Sequence, residues 1–385
     1  MPAHKPKIAF ITTTILQVKF FLVPHLNALA ERYDVTLILK EDYPEIRNSL
    51  PLKTNIHFID IERAVSPVKD LKGLWQLYRY LRSQRFDMVH TVNPKAGLLG
   101  ILAAFLARVP IRLHTFQGEI WANKTGVWRA ILRFMDRLVG WCATDLTVVS
   151  HSERDVLVRE GLISARKSTV LANGSIGGVD MVRFSPKPSV RQAQRSQLGF
   201  GPQHTVFLYL GRLNVDKGLL ELAQAFSQVH AQRPTARLLL VGLDEEQILE
   251  KIQPWSATMA DALVYRPYTP APEDILQAAD VLVLPSHREG FGVVIIEAAA
   301  LGIPSIGSRI YGISDALVDG QTGLMFEKGN ADDLAKAITT LIDQPERMKA
   351  FGHQARLRVE AEFQQSVVLE AFLAHYARLL KRVQA

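Results

Sequence analysis

The stretch HREGFGVVIIE (287–297) sets two carboxylates, Glu289 and Glu297, eight positions apart around a glycine-rich turn that opens an apolar helix. A second stretch, GRLNVDKGLLEL (211–222), sets two cations, Arg212 and Lys217, ahead of another helix. Helix N-termini offer free backbone N–H groups and partial positive charge. Two such ends with two full cations suit a diphosphate. Carboxylates beside a diphosphate repel it unless they face hydroxyls, which they accept in pairs, as an acidic residue holds a ribose in dinucleotide sites. One Glu for a ribose and one for a sugar fits a nucleotide sugar, with Gly290 and Gly292 letting the backbone approach. The spacing equally fits a solvated loop acid and an acid favoured near a helix N-terminus.

These residues need elements to hold them, and the chain shows one alternation twice. KIAFITTT (7–14), DVTLIL (34–39), DMVHTV (87–92), IRLHTF (111–116) and DLTVVS (145–150) alternate with helical patterns. TVFLYLG (205–211), ARLLLVG (236–242), ALVYRPY (262–268), DVLVLPS (280–286) and IPSIGS (303–308) repeat the scheme. Strands this uniformly apolar are covered on both faces, so the expected fold is α/β, two doubly wound parallel-sheet (Rossmann-like) domains facing across a cleft. FSPKPSVRQAQRSQLGFGPQ (184–203) reads as a linker with a short helix. The expected domains are 1–186 and 187–364, with a C-terminal helix at about 365–385 packing back on the first. In such sheets ligands lie beyond the C-terminal strand ends, which is where Arg212, Lys217, Glu289 and Glu297 fall.

Composition narrows the class. The 385 residues are 48% hydrophobic, with length for two cores, and the single cysteine, Cys142, rules out an internal disulfide framework and fits a reducing compartment. The basic N-terminus and following apolar run imitate a signal peptide, but three threonines and Lys19 interrupt it and no small-residue cleavage site follows. No run of about 18 apolar residues predicts a transmembrane helix, so the expected chain is cytoplasmic or peripheral. Residues 1–190 carry 26 Lys and Arg against 16 Asp and Glu, and residues 191–385 carry 19 against 22. The basic first half suits nucleic acid, anionic lipid or phosphorylated ligands. Zinc-finger spacing, aromatic RNA-binding signatures and basic heptad helices are missing, which argues against nucleic acid. GSIGGVD (174–180) does not join a first strand to a first helix and is set aside as a nucleotide fingerprint; Asp332 and Asp333 read as helix-start acids rather than metal ligands. No D-x-D follows an apolar strand, and Arg212, Lys217 and two helix ends already offset a leaving diphosphate, so neither metal nor other cofactor is expected.

The sequence also resembles a known family. EGFGVVIIE, preceded by DVLVLPS and followed by GIPSIGSRIYGISDALVDGQTGLMFEKGNADDLAKAI, is similar to retaining glycosyltransferases of the GT-B fold, family 4. GRLNVDKGLLEL resembles that family's diphosphate-binding loop and NGSIGGVDMVRFSP its interdomain segment. The resemblance covers nearly the whole chain. It implies that Arg212 and Lys217 bind the donor diphosphate, Glu297 the ribose and Glu289 the transferred sugar, with backbone contacts from Phe291 and Gly292. TVNPKAGLLGILAAFLARVPIRLHTFQGEIW resembles the subgroup that extends capsular, O-antigen and N-glycan precursors on a polyprenyl diphosphate, which mostly uses UDP-sugars. There His114 matches the family's cleft histidine; a lone strand histidine is otherwise more often a core residue. TTTILQVKFF (12–21) departs from the family's Gly-Gly pair, so no phosphate contact is carried to Thr13 or Thr14.

The resemblance implies front-face displacement, since no first-domain carboxylate, Glu119 included, is clearly placed for double displacement. The expected partners are a nucleotide sugar, a lipid-linked saccharide and an anionic membrane on the inner face of the cytoplasmic membrane. A soluble acceptor, a sugar-nucleotide 2-epimerase and a non-catalytic binding module are the alternatives. For membrane contact, LKGLWQLYRYLRSQR (71–85) and VWRAILRFMDRLVGWCA (127–143) are amphipathic and basic. As crossover helices they are expected to bury the apolar stripe and show the basic face to water, leaving Phe20 and Phe21 of ILQVKFF as the exposed turn.

Overall fold

The computed structural model describes residues 5–61 and 66–384. They form two compact units, residues 1–177 with 366–385, and residues 178–365. Each unit is one parallel sheet between helical layers. Helices of eight or more residues are labelled here in chain order.

The first unit has strands β1 (Lys7–Ile11), β2 (Asp34–Leu39), β3 (Asn55–Phe58), β4 (Met88–Val92), β5 (Ile111–Phe116), β6 (Asp145–Val148) and β7 (Ser168–Thr169), in sheet order β3-β2-β1-β4-β5-β6-β7. Its helices are α1 (Val23–Arg32), α2 (Pro67–Gln84), α3 (Pro94–Leu106), α4 (Gly126–Cys142) and α5 (His151–Arg159). Strand order reverses at β1. Right-handed crossovers therefore put α1 on one face and α2, α3 and α4 on the other, where α3 packs against both neighbours. Apolar cores result on both faces. One joins Phe10, Leu37 and Leu113 to Leu26 and Leu29 of α1 and to Phe372, Tyr376 and Leu379 of the C-terminal helix. Another joins Ile11, Val89 and Ile38 to Leu77, Leu81, Leu99 and Ala103.

The second unit has β8 (Thr205–Leu210), β9 (Ala236–Val241), β10 (Leu263–Arg266), β11 (Val281–Leu284), β12 (Ser305–Ser308) and β13 (Gly323–Phe326), in order β10-β9-β8-β11-β12-β13. Its helices are α6 (Pro188–Gln197), α7 (Leu219–Gln232), α8 (Val293–Ala300), α9 (Ala331–Asp343) and α10 (Pro345–Glu362); α11 (Gln365–Gln384) returns to the first unit. The segment expected as a linker is fastened to the second unit: Arg191 and Arg195 of α6 reach Asp280 at 2.5 and 3.1 Å. The Asp332–Asp333 pair opens α9, where the Asn330 side chain accepts from the Asp333 amide at 3.0 Å.

The loop after β1 differs from a glycine-rich turn. Thr14 caps a short helix by accepting from the Leu16 amide and donates to Asp42 at 2.7 Å, and a π-helical turn covers Val18–Leu22. Ile15, Val18 and Leu22 are buried, Phe21 packs against the core, and only Phe20 is exposed.

Candidate functional site

In the second unit the strands end in loops whose chemistry is ionic. β8 leads into Arg212 and a 3₁₀ turn, Val215–Lys217, before α7. Gly218 caps α7 with φ 67°, a conformation open to glycine, and an added Cβ there would lie 2.0 Å from the Pro285 carbonyl oxygen. That contact holds the start of α7 against the end of β11. The chain then turns through Glu289–Gly292 into α8, with Gly292 at φ 79°. Gly312 supports this turn, since its Cβ would sit 2.6 Å from the carbonyl oxygens of Glu289 and Gly290. Phe291 is buried edge-on to Phe363 at 5.3 Å, leaving its backbone as the polar part of the turn.

Lys217 and Glu289 come together: Lys217 Nζ donates to Glu289 Oε1 at 2.5 Å, and both side chains are largely buried. Ser286 Oγ donates to the same Oε1 at 2.8 Å, and Ser308 donates to the Ser286 carbonyl. Arg212 instead forks onto Glu245, at 2.9 and 3.2 Å, while Asn214 donates to Glu245 at 3.3 Å. Glu245 follows β9 in GLDEE and went unnoticed in the sequence; its one signal is an acidic cluster just past an apolar strand. Glu297 is the fifth residue of α8. Its neighbours are Arg183 and Glu273, themselves paired at 2.7 Å. Burial pushes the Glu297 carboxyl up to about 7, with Arg183 opposing the rise and Glu273 adding to it. Of the four charged residues expected to act together, Lys217 and Glu289 pair with each other, Arg212 pairs with Glu245, and Glu297 stands apart beside the Arg183–Glu273 pair.

In the first unit the ends of β1, β4 and β5 gather amides and hydroxyls. Asn93, at φ 67° after β4, caps α3 through its side-chain oxygen and donates to Thr12, Thr13 and Gln17 at 3.0–3.1 Å. Gln17 donates to Gln117, the residue after β5, at 2.9 Å, and the Gln117 amide nitrogen is buried without a hydrogen-bond partner. This amide and hydroxyl cluster also went unread in the sequence, although Asn93 and Gln117 both occupy strand-end positions.

His114 lies two residues inside the end of β5, buried beneath α3. Its Nδ1 pairs with Thr91 Oγ1 at 2.8 Å, its ring meets Phe116 edge-on at 4.6 Å, and burial pushes it down to about 3, with Thr91 opposing. Gly97 of α3 is what leaves it space, since a Cβ there would come within 2.4 Å of the ring. The imidazole is neutral at neutral pH. Glu119 is also buried and, after burial itself, contributes to raising the Asp136 carboxyl to about 7.

Two parallel sheets, each switching direction at a central strand, with donors gathered where the strands end, define a GT-B glycosyltransferase architecture. The Anabaena protein HepE, solved with UDP and glucose, shares this fold at a TM-score of 0.81 and 18% identity, over 97% of this chain and 100% of that one. The chain belongs to the group 1 glycosyl transferases: that family's model matches residues 190–358, and a glycosyl transferase 4-like domain matches residues 25–174. The capsular polysaccharide biosynthesis glycosyltransferase CapM of Staphylococcus aureus is 31% identical over 326 residues, 84% of this chain and 85% of CapM. The UDP-Gal:alpha-D-GlcNAc-diphosphoundecaprenol alpha-1,3-galactosyltransferase of Escherichia coli is 28% identical over 344 residues, 88% and 86% of the two chains. D-inositol 3-phosphate glycosyltransferase 2 of Catenulispora acidiphila is 30% identical over 328 residues, 78% and 72% of the two chains.

Proposed function

We propose that this glycosyltransferase moves a hexose or N-acetylhexosamine from a nucleotide sugar, UDP-linked, to a saccharide carried on a polyprenyl diphosphate, with retention and without a metal. The observation that carries the reading is the pair of cations at the second unit's strand ends, each held by a carboxylate: Lys217 on Glu289 and Arg212 on Glu245. An arriving diphosphate draws both cations, because two phosphoryl groups outcompete one carboxylate apiece. Glu289 is then released to accept hydrogen bonds from the sugar hydroxyls. Glu297, with Arg183 beside it, takes the ribose, and the backbone of Gly290, Phe291 and Gly292 approaches the donor. As the bond to the anomeric carbon breaks, charge grows on the diphosphate, and Arg212 and Lys217 stabilise it more than they stabilise the donor. The acceptor oxygen bonds to the anomeric carbon on the face that the diphosphate leaves and gives its proton to the departing phosphate oxygen, so the configuration is retained. No carboxylate nucleophile is invoked.

The neutral cluster of Asn93, Gln17 and Gln117 in the first unit suits the hydroxyls of an acceptor saccharide, and His114 stiffens that strand end. The names of the S. aureus and E. coli relatives support a lipid-linked acceptor in surface polysaccharide assembly. It would be reached by a peripheral enzyme on the inner face of the cytoplasmic membrane, through the basic first unit. No described helix is long and apolar enough to cross a membrane. The C. acidiphila relative favours one second reading, a soluble phosphorylated acceptor.

The test incubates purified protein, with and without EDTA, with a panel of nucleotide sugars and either a polyprenyl-diphosphate sugar or D-inositol 3-phosphate. Anomeric coupling in the product is read by NMR. Transfer to the lipid-linked acceptor with the donor's configuration is expected. Transfer to the inositol phosphate alone overturns the acceptor, inversion overturns the mechanism, and loss with EDTA overturns metal independence.

A further inference from the structure

Helix α4 packs Leu132, Leu138, Val139 and Cys142 on the core as a crossover helix should, but it carries a second apolar side. Two of its arginines turn towards the protein: Arg129 and Arg133 stand 5.4 and 5.3 Å from the ring of buried Trp121, and Arg133 pairs with Glu160; Arg137 stays exposed, its Nε donating to the Gly161 carbonyl at 3.2 Å. Its one acid, Asp136, also turns inward and accepts from Trp121 Nε1 at 2.7 Å. The side left to solvent is apolar: Val127 is 74% exposed, Trp128 64%, Phe134 64%, Trp141 66%, and Ile131 lies among them at 37%. Spacings of three, four and seven put Val127, Ile131, Phe134 and Trp141 on one stripe. Isolated exposed apolar residues are ordinary, but a stripe along a whole helix marks an interaction site. The stripe continues past α4, because Trp141 lies 5.3 Å from half-exposed Phe105, next to exposed Leu106 at the end of α3.

The same helical layer repeats the pattern. On α2, Val68, Leu71 and Trp75 are exposed, Arg79 lies 4.5 Å over Trp75, and Lys72 and Arg82 flank them. The only acid on α2, Asp70, is taken up by Lys95 of α3 at 2.7 Å. Exposed Lys124 and Arg137 edge the α4 stripe. Apolar and tryptophan side chains edged by cations, with the local acids already paired, complement an anionic lipid surface: the rings enter the interface and the cations meet headgroups.

We propose that the outward face of α4, seconded by α2, seats this protein on an anionic bilayer. The proposal extends the reading of a lipid-linked acceptor by naming the surface that brings the enzyme to it. The test uses vesicles of phosphatidylglycerol and phosphatidylethanolamine free of polyprenyl lipid, so its result does not depend on the transfer reaction. Wild type should sediment with them at low salt, release as salt rises, and lose tryptophan fluorescence to brominated acyl chains. A Trp128→Asp, Phe134→Asp variant should partition at least tenfold less. It should keep its circular dichroism and its transfer to a short-chain, water-soluble acceptor, since neither residue belongs to the site described above. Wild type that stays in solution at low salt, or a double variant that binds as wild type does, overturns the proposal. So does lipid-free self-association that the variant abolishes, which assigns the face to a second copy instead.

Discussion

The two units share a scaffold and differ at the ends of their strands. Both are parallel sheets that reverse order at a central strand, β1 in one and β8 in the other, and both put a helix start after each of the strands flanking that switch. In the second unit the strand ends carry Arg212 and Lys217 with the acids Glu245 and Glu289 that hold them, and Glu273, after β10, is met by Arg183 from the segment ahead of α6. In the first they carry Thr12, Thr13, Gln17, Asn93 and Gln117, hydrogen-bonded to one another, above a neutral buried histidine. The sheet topology fixes where ligands meet loops, and the residues decide which ligand. Ion pairs that can exchange partners suit an anion; amides and hydroxyls suit a neutral sugar.

The sharpest way to break this contrast is to remove a cation from the ionic side. Lys217→Ala should lower turnover by roughly a hundredfold, because it deletes a charge that acts most strongly on the developing diphosphate. Gln17→Ala, which removes a neutral hydrogen-bonding side chain from the first unit, should act mainly through the KM for acceptor. Steady-state kinetics with both substrates varied distinguishes them, and equal effects on turnover would remove the division of labour.

The second test concerns how each unit brings a helix close to its sheet. Gly97 leaves space for a side chain, the His114 ring, whereas Gly218 leaves space for a backbone oxygen at a positive φ. Gly97→Ala should cost roughly 1–3 kcal/mol by overpacking, and His114→Ser should recover part of it by making room. Gly218→Ala should cost at least as much, with no side-chain truncation able to recover it, since the clash is with the main chain and the conformation is itself strained. Urea unfolding of the single and double variants reads the difference.

What was legible in the sequence follows the range of the signal. Ten strands announced themselves as β-branched apolar runs and formed within a few residues of those limits; NIHF (β3), ST (β7) and GLMF (β13) are too short or too mixed to stand out. The GT-B architecture and the family were legible in the order of several motifs. Individual partners were not. Glu245 meets Arg212 from 33 positions away, and Arg183 reaches Glu273 from 90, distances over which local pattern carries no information. Helix α4 shows the same limit: periodicity revealed apolar spacing, but Trp121, outside the helix, draws Arg129 and Arg133 inward, so Leu132, Leu138, Val139 and Cys142 pack on the core while Val127, Trp128, Phe134 and Trp141 face solvent.

The smallest effect tests the ribose contact proposed for Glu297. Burial holds a proton on Glu297 up to about pH 7 in the folded protein, against an ordinary value of 4.5. The folded state therefore binds this proton more tightly than the unfolded chain. Its contribution to stability is present below pH 4.5 and is lost as pH rises through about 7, when a buried carboxylate must form. Ligand binding runs the other way, because ribose hydroxyls donate and an ionised Glu297 accepts from both. Affinity for free UDP should thus fall about tenfold between pH 8 and pH 6, as expected for one group titrating near 7. In Glu297→Gln the affinity should be lower throughout and lack that component, leaving only the titration of the nucleotide's own phosphate. Glu273→Gln removes the neighbouring like charge and should move the midpoint to lower pH without abolishing the slope. Calorimetry across this range, with Glu289→Gln keeping both the affinity and the slope of wild type, checks the assignment; a slope unchanged in Glu297→Gln would move the titrating group elsewhere.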